Sequence, residues 1–224
     1  DRAIKITNEY GFHPKMAPME GLFRDGRLGV VQVVGTDNTT GSHFECQDQM
    51  EHGDGFKSHA GGGWISRYLR HRAGALPTSL TAIAIGETLP ESLRGAPAAS
   101  VLRSVEDIDI QTPTGDATAA ASALGKLYGA EVGVLGAQGK DTVSLFHRVS
   151  NLRTKIYKPA NGAGYGSGSL GAGLREIARL IKSDVGLEVA CIDLGGWDTH
   201  FVQGAAAGFQ ANVIAELAEG IVAF

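Results

Sequence analysis

Cysteine is scarce. Cys46 and Cys191 are the only two in 224 residues, and no CxxC spacing exists. That argues against a cysteine zinc site and against a dithiol redox centre. Two half-buried thiols are the expected state, with pairing in an oxidising compartment as the alternative. A basic excess is also missing. Twenty Lys and Arg stand against 24 Asp and Glu, for a net charge of −4 and a pI near 6.0. A general nucleic-acid binder should be basic, so that class is disfavoured. No apolar run reaches the roughly 18 residues that a membrane span needs. Asp1, Arg2, Lys5 and Glu9 interrupt any secretory h-region at the start, although a mature exported chain looks the same. Proline is sparse at 7, so the 32 glycines do not make a low-complexity composition. Glycine is still about twice its ordinary usage, which points to many tight turns and close backbone approaches. With 43% hydrophobic and 20% charged residues, the chain can bury a core without disulfides.

Three segments carry the pattern of buried strands: Leu28–Gly35, Leu80–Gly86 and Leu187–Gly196. Each is nearly apolar throughout, as when both faces of a strand are covered. Each ends in glycine followed by polar residues, which places functional loops at the carboxyl ends of a parallel sheet. Helical spacing lies between them. Met16, Met19, Leu22 and Phe23 recur within Pro14–Asp25, stopped by Gly26. Trp64, Ile65, Tyr68 and Leu69 form one stripe, and Leu174, Ile177, Ala178 and Ile181 another. Ile214, Leu217, Ile221 and Val222 continue the pattern at the end. This alternation predicts an α/β layered fold, with the three strands in one mainly parallel sheet. Residues 1–224 are expected to form one such domain, with 87–173 a less regular, insert-like region. Within that region lie the Ala-rich stretch Ala117–Leu127 and the Gly/Ser loop Asn161–Gly173. The chain starts almost directly with a helix and ends on Phe224 inside an amphipathic pattern. It is therefore expected to be a piece of a longer protein.

Two loops concentrate polar chemistry. In Gly35–Asp48 (GTDNTTGSHFECQD), Ser42, His43, Glu45 and Asp48 follow the first expected strand. Ser42 and His43 serve as nucleophile and base only if folding brings the side chains together. Ser42 also fits the N-cap of a helix over 43–52, with Glu45 at N3 as a capping box. The two roles are compatible. In Asp193–His200 (DLGGWDTH), Asp198 and His200 lie two apart, so an extended loop faces both to one side. A carboxylate and an imidazole at the mouth of a parallel sheet suit a divalent metal such as zinc, with Asp193 as a ligand or supporting acceptor. The alternative is a turn that caps a helix.

Other motifs carry less. Gly166–Gly171 matches G-x-G-x-x-G before a helix, but no buried strand precedes it, so a plain glycine loop is favoured over a dinucleotide site. Arg67, Arg70, His71 and Arg72 sit opposite an apolar stripe, as a solvated basic face would; anion recruitment is the minority reading. His13, His52, His59 and His147 lack partners at ligand spacing, and His13 before Pro14 fits the start of a helix.

Taken in order, YGFHPKMAPMEGLFRDGRLGVVQVVG, GSHFECQDQMEHG, GWISRYL, AIAIGETLPESLRG and IARLIKSDVGLEVACIDLGGWDTH resemble the bacterial domain of unknown function 1501. The likeness runs from about Tyr10 to Phe224, and SHFE-x-Q-D and DLGGWDTH are its most specific marks. That family consists mostly of uncharacterised proteins exported by the twin-arginine route, and it resembles the alkaline phosphatase and sulfatase superfamily. The resemblance implies a three-layer α/β/α sandwich with a metal site at the strand carboxyl ends. It implies a periplasmic or extracellular, metal-dependent hydrolase of phosphate or sulfate esters, acting on a small-molecule or glycan ester. Asp198 and His200 match the motif holding an Asp and a His metal ligand, and Ser42 and His43 fall in a loop bordering the same site. All four are expected to converge on one cleft. A strand with a GG-containing loop that usually comes first in the family, and its later SEFGR and DHG region, are not in this sequence. The chain is expected to carry only part of the site. The competing reading is a non-catalytic exported domain that binds an anionic glycan or a protein partner.

Overall fold

The computed structural model describes residues 2–53, 61–73, 77–108, 110, 112–113, 115–153 and 156–224. His59 lies outside them. In chain order the strands are β1 (Ile4–Lys5), β2 (Gly11–Phe12), β3 (Ala82–Ile85), β4 (Ser100–Leu102) and β5 (Val189–Ile192). The helices are α1 (Glu20–Arg24), α2 (His43–His52), α3 (Trp64–His71), α4 (Ala117–Ala130), α5 (Gly133–Arg153), α6 (Ser169–Lys182) and α7 (Phe209–Ala223). The chain is mixed α/β, about 49% helix, with a small parallel three-stranded sheet. It divides into two compact units.

One unit comprises Asp1–Val34, Lys158–Ala178 and Ile192–Phe224. β1 and β2 pair antiparallel, Ile4 opposite Phe12. Phe12 is buried, with its ring edge-to-face on Phe23 at 5.4 Å. His13 caps the 3₁₀ turn Pro14–Met19 by accepting from the Lys15 amide at Nδ1, 3.1 Å away. Its Nε2 reaches the Ala205 carbonyl oxygen at 2.8 Å. The sequence placed His13 at a helix start and ended the following helix at Gly26. Both hold, and Gly26 takes a left-handed φ of 70°.

In the same unit, glycines let α6 and α7 approach closely. A Cβ on Gly171 would sit 1.6 Å from the Tyr165 carbonyl oxygen. The loop before α6 therefore lies against the helix in a way no other residue permits. The Glu216 carboxylate of α7 accepts from the Leu170 amide at 3.1 Å. The start of α6, where a dinucleotide phosphate would have bound, is met by the protein's own negative charge.

The other unit comprises Gly35–Tyr157 and Arg179–Cys191. Its sheet runs β4-β3-β5. β3 and β4 are parallel, with Ile83 opposite Ser100 and Ile85 opposite Leu102. Ala82 and Ala84 are buried with Ile65 and Leu69 of α3 and with Leu93. Val189 and Cys191 of β5 pack against the same cluster. Two of the three expected strands are therefore present, in Leu80–Gly86 and Leu187–Gly196.

The third is not. Leu28–Gly35 forms no strand; Val31 is 82% and Val33 100% exposed, and Val33 holds φ 57°. β-branched composition favours a pleated, half-buried surface, but a strand exists only where a neighbour completes its hydrogen-bond ladder. The sheet's third strand is instead β4, three residues long, in the region the sequence left unread. The Ala-rich stretch is α4, and with α5 it makes a packed helical pair. No disulfide joins Cys46 and Cys191, and both are half-buried, as expected.

The basic face of α3 also differs from expectation. Arg67 donates to the carbonyls of Gly62 at 2.6 Å and His52 at 2.5 Å. Arg70 donates to Gly61 and Gly95, and Arg72 pairs with Glu188. Arg70 and His71 are exposed, as a solvated face would have them, whereas Arg67 and Arg72 are half-buried, and the three guanidiniums fasten neighbouring segments to α3. The fork of donors on each explains why arginine, not lysine, fills these positions.

Candidate metal-binding residues

The loop after β5 turns on a local hydrogen bond. Asp198 Oδ1 accepts from the His200 amide at 3.3 Å, an Asx-type closure that a short carboxylate makes readily. The same oxygen lies 3.2 Å from His200 Nε2. Both side chains are more than half exposed, so solutes reach them. Gly196, at φ 88°, brings the loop backbone against Val213 and Phe209 of α7. Trp197 is 41% exposed beside Asp198, and Asp193 stands exposed just past β5. A carboxylate and an imidazole in this arrangement offer two of the four ligands that a tetrahedral cation takes.

Ser42 is the N-cap of α2. Its Oγ accepts from the Glu45 amide at 3.3 Å, which satisfies an amide left without a partner at the helix start. Glu45 does not return the bond as a full capping box would. Its Oε2 accepts from the Thr40 hydroxyl at 2.8 Å and from Asn38 at 3.4 Å. His43 is exposed in the first turn of α2. Ser42 and His43 belong to one unit, Asp198 and His200 to the other.

A second group escaped the sequence analysis, which left His52 without partners. Asp48, His52 and Glu91 bring one ligand atom each to within 4.8 Å of one another, a set that could hold a metal ion. Asp48 and His52 are i and i+4 on α2, so that half of the cluster was readable from helical spacing. Glu91 comes from the 3₁₀ turn Glu91–Leu93, and no local pattern announces it.

One carboxylate departs from its ordinary titration. The Ser104 hydroxyl, followed by the Arg179 guanidinium, holds Glu106 down to about 2, against partial burial that pushes the other way. It lies outside both groups above.

No family model matches the chain, and neither a curated protein nor a solved structure matches it.

Proposed function

We propose that this chain belongs to a metal-dependent hydrolase of phosphate or sulfate esters, of the exported kind its sequence resembles. The observation that carries the reading is the Asp198–His200 pair, 3.2 Å apart and open to solvent in the loop after a strand of a parallel sheet. An imidazole and a carboxylate together suit a borderline divalent cation, and zinc is the metal this reading assigns. His200 and Asp198 would hold it, with Asp193 beside them as ligand or supporting acceptor. When bound, the ion supplies Lewis-acid polarisation of the ester oxygen.

The chain's own part is to present a neutral imidazole and an anionic carboxylate. Asp198 offsets the cation's charge and, through its bond to the His200 amide, fixes the loop that carries both ligands. Ser42 and His43 remain the catalytic candidates, Ser42 with the added duty of capping α2. The reading includes the three-layer sandwich and the periplasmic or extracellular setting that the resemblance implies, and a small-molecule or glycan ester as substrate.

The test is zinc binding by the purified chain, read by Trp197 emission, beside its turnover of aryl phosphate and aryl sulfate monoesters, which should be weak in a chain that carries only part of the site. Zinc binding that falls at least about tenfold in both Asp198→Asn and His200→Ala supports the reading. Zinc binding unchanged in both variants, or robust chelator-sensitive turnover by the chain alone, defeats it.

A further inference from the structure

The larger opportunity for a cation lies in the unit that holds the sheet. His52 Nδ1 lies 3.0 Å from the backbone oxygen of Asp48. A carbonyl only accepts, so Nδ1 carries the hydrogen. Nε2, the ring nitrogen turned away from that carbonyl, faces Glu91 Oε1 at 3.3 Å.

We propose that Asp48, His52 and Glu91 form a binding site for a divalent transition metal of zinc-like coordination habit. The ligands are His52 Nε2 and Glu91 Oε1, with the exposed Asp48 carboxylate, whose Oδ2 now lies 3.8 Å from His52 Nδ1, joining from the open side and water completing the shell. The site shares no residue with Asp198 and His200.

Distances support a metal over a chance cluster. Bonds of about 2.0–2.1 Å in tetrahedral geometry put neighbouring ligand atoms about 3.3 Å apart. Nε2 and Oε1 are already 3.3 Å apart, and one ligand atom from each of the three residues lies within 4.8 Å of the others. The orientation is also fixed in advance. A bond from the distal ring nitrogen to a carbonyl is how ligating histidines are commonly held in place. The other oxygen of Glu91 is taken by Arg94 Nε at 2.7 Å, which leaves Oε1 turned toward His52. The turn bearing Glu91 is tied to α2, because Glu51 Oε2 accepts from the Ser92 amide at 2.9 Å. Arg67 holds the His52 carbonyl from the other side.

Burial sets the access. The His52 and Glu91 side chains are 13% and 14% exposed, while Asp48 is 54% exposed. Two ligands are thus shielded, and the third leaves an open side for the ion and its waters. Two carboxylates beside one imidazole make an oxygen-and-nitrogen site suited to a borderline cation.

The experiment is a cobalt titration of the full chain carrying Asp198→Asn and His200→Ala. Those changes silence the other proposed ligands, so this site stands or falls independently of the hydrolase reading. The expected result is one equivalent of Co²⁺ bound with intense visible bands of low coordination number, displaced by zinc. His52→Gln and Glu91→Gln should each weaken binding at least about tenfold. Asp48→Asn lies at an exposed position where folding is not at risk, and it should weaken binding too. Circular dichroism confirms that each variant is folded. A spectrum that stays that of aqueous cobalt throughout overturns the proposal. So does unchanged affinity in folded Asp48→Asn and Glu91→Gln. Nitrogen NMR in which the His52 ring resonances do not respond to excess zinc also overturns it.

Discussion

Arg179 is buried, and replacing it with methionine separates two contributions that the structure combines. Its Nη1 meets Glu106 Oε1 at 2.7 Å, and its Nη2 donates to the Leu152 carbonyl at 2.8 Å. Leu152 lies in the last turn of α5, where carbonyls have no partner within the helix. Arg179→Met keeps most of the stem volume but strips that carbonyl of its donor, which costs about 1–3 kcal/mol. The ion pair adds less. Glu106 is 54% exposed and turns to water when its partner goes, so about 0.5–1 kcal/mol is lost there. The sum is about 1.5–4 kcal/mol, mostly from the stranded carbonyl.

The acid dependence is a separate signature. Glu106 is held near 2 against an ordinary 4.5, chiefly by the Ser104 hydroxyl and then by Arg179. A depressed carboxylate stabilises the fold above the unfolded pKa, and that stability is lost as pH falls from about 4.5 toward 2. Half exposure screens the effect to about 1 kcal/mol. Urea unfolding followed by circular dichroism at pH 7, and again between pH 4.5 and 2, reads both. Arg179→Met should lose about 1.5–4 kcal/mol at pH 7. Ser104→Ala should flatten the acid dependence more than Arg179→Met does. An Arg179→Met protein within about 0.5 kcal/mol of wild type, or a Ser104→Ala protein with unchanged acid dependence, refutes this reasoning.

Two further substitutions probe the scaffold. A Cβ on Gly63 would sit 2.1 Å from the Glu91 carbonyl oxygen and 2.3 Å from that of Ser92, both backbone atoms that cannot swing aside. Gly63→Ala should therefore cost at least about 1–3 kcal/mol in urea unfolding and, by displacing Glu91, weaken cobalt binding. Ser42→Ala should lower stability by about 1 kcal/mol through loss of the α2 cap, while Ser42→Asp, which also caps, should restore it. Equal stability of the two variants in thermal melts would remove the capping role.

Much of this architecture is visible in the sequence because local physics sets it. Ser42 caps α2, His13 caps the first 3₁₀ turn, and the apolar runs around Ala82–Ile85 and Val189–Ile192 become strands. What escaped depends on contacts between distant segments. LGVVQVVG has the composition of a strand but no neighbouring ladder. Ser100–Leu102 is too short to signal itself, yet it pairs with β3. The arginines of α3 look like a solvated face until their carbonyl partners, in the Gly61–Gly62 turn, at Gly95 and at the end of α2, are known. At the candidate sites, the two-residue spacing of Asp198 and His200 was legible because the loop is local. Glu91 joins His52 across 39 positions of sequence, and no periodicity reports that.

The most direct measurement is zinc titration of the chain followed by Trp197 emission, at a pH above the ordinary histidine range. Trp197 is beside Asp198 and 41% exposed, so a bound cation changes its surroundings. Wild type should give a saturable change. Asp198→Asn and His200→Ala should abolish it while their far-ultraviolet spectra stay unchanged, since both residues lie beyond the end of β5. The same titration curve in wild type and in both variants would make Asp193–His200 a structural turn and contradict the assignment of a metal to it.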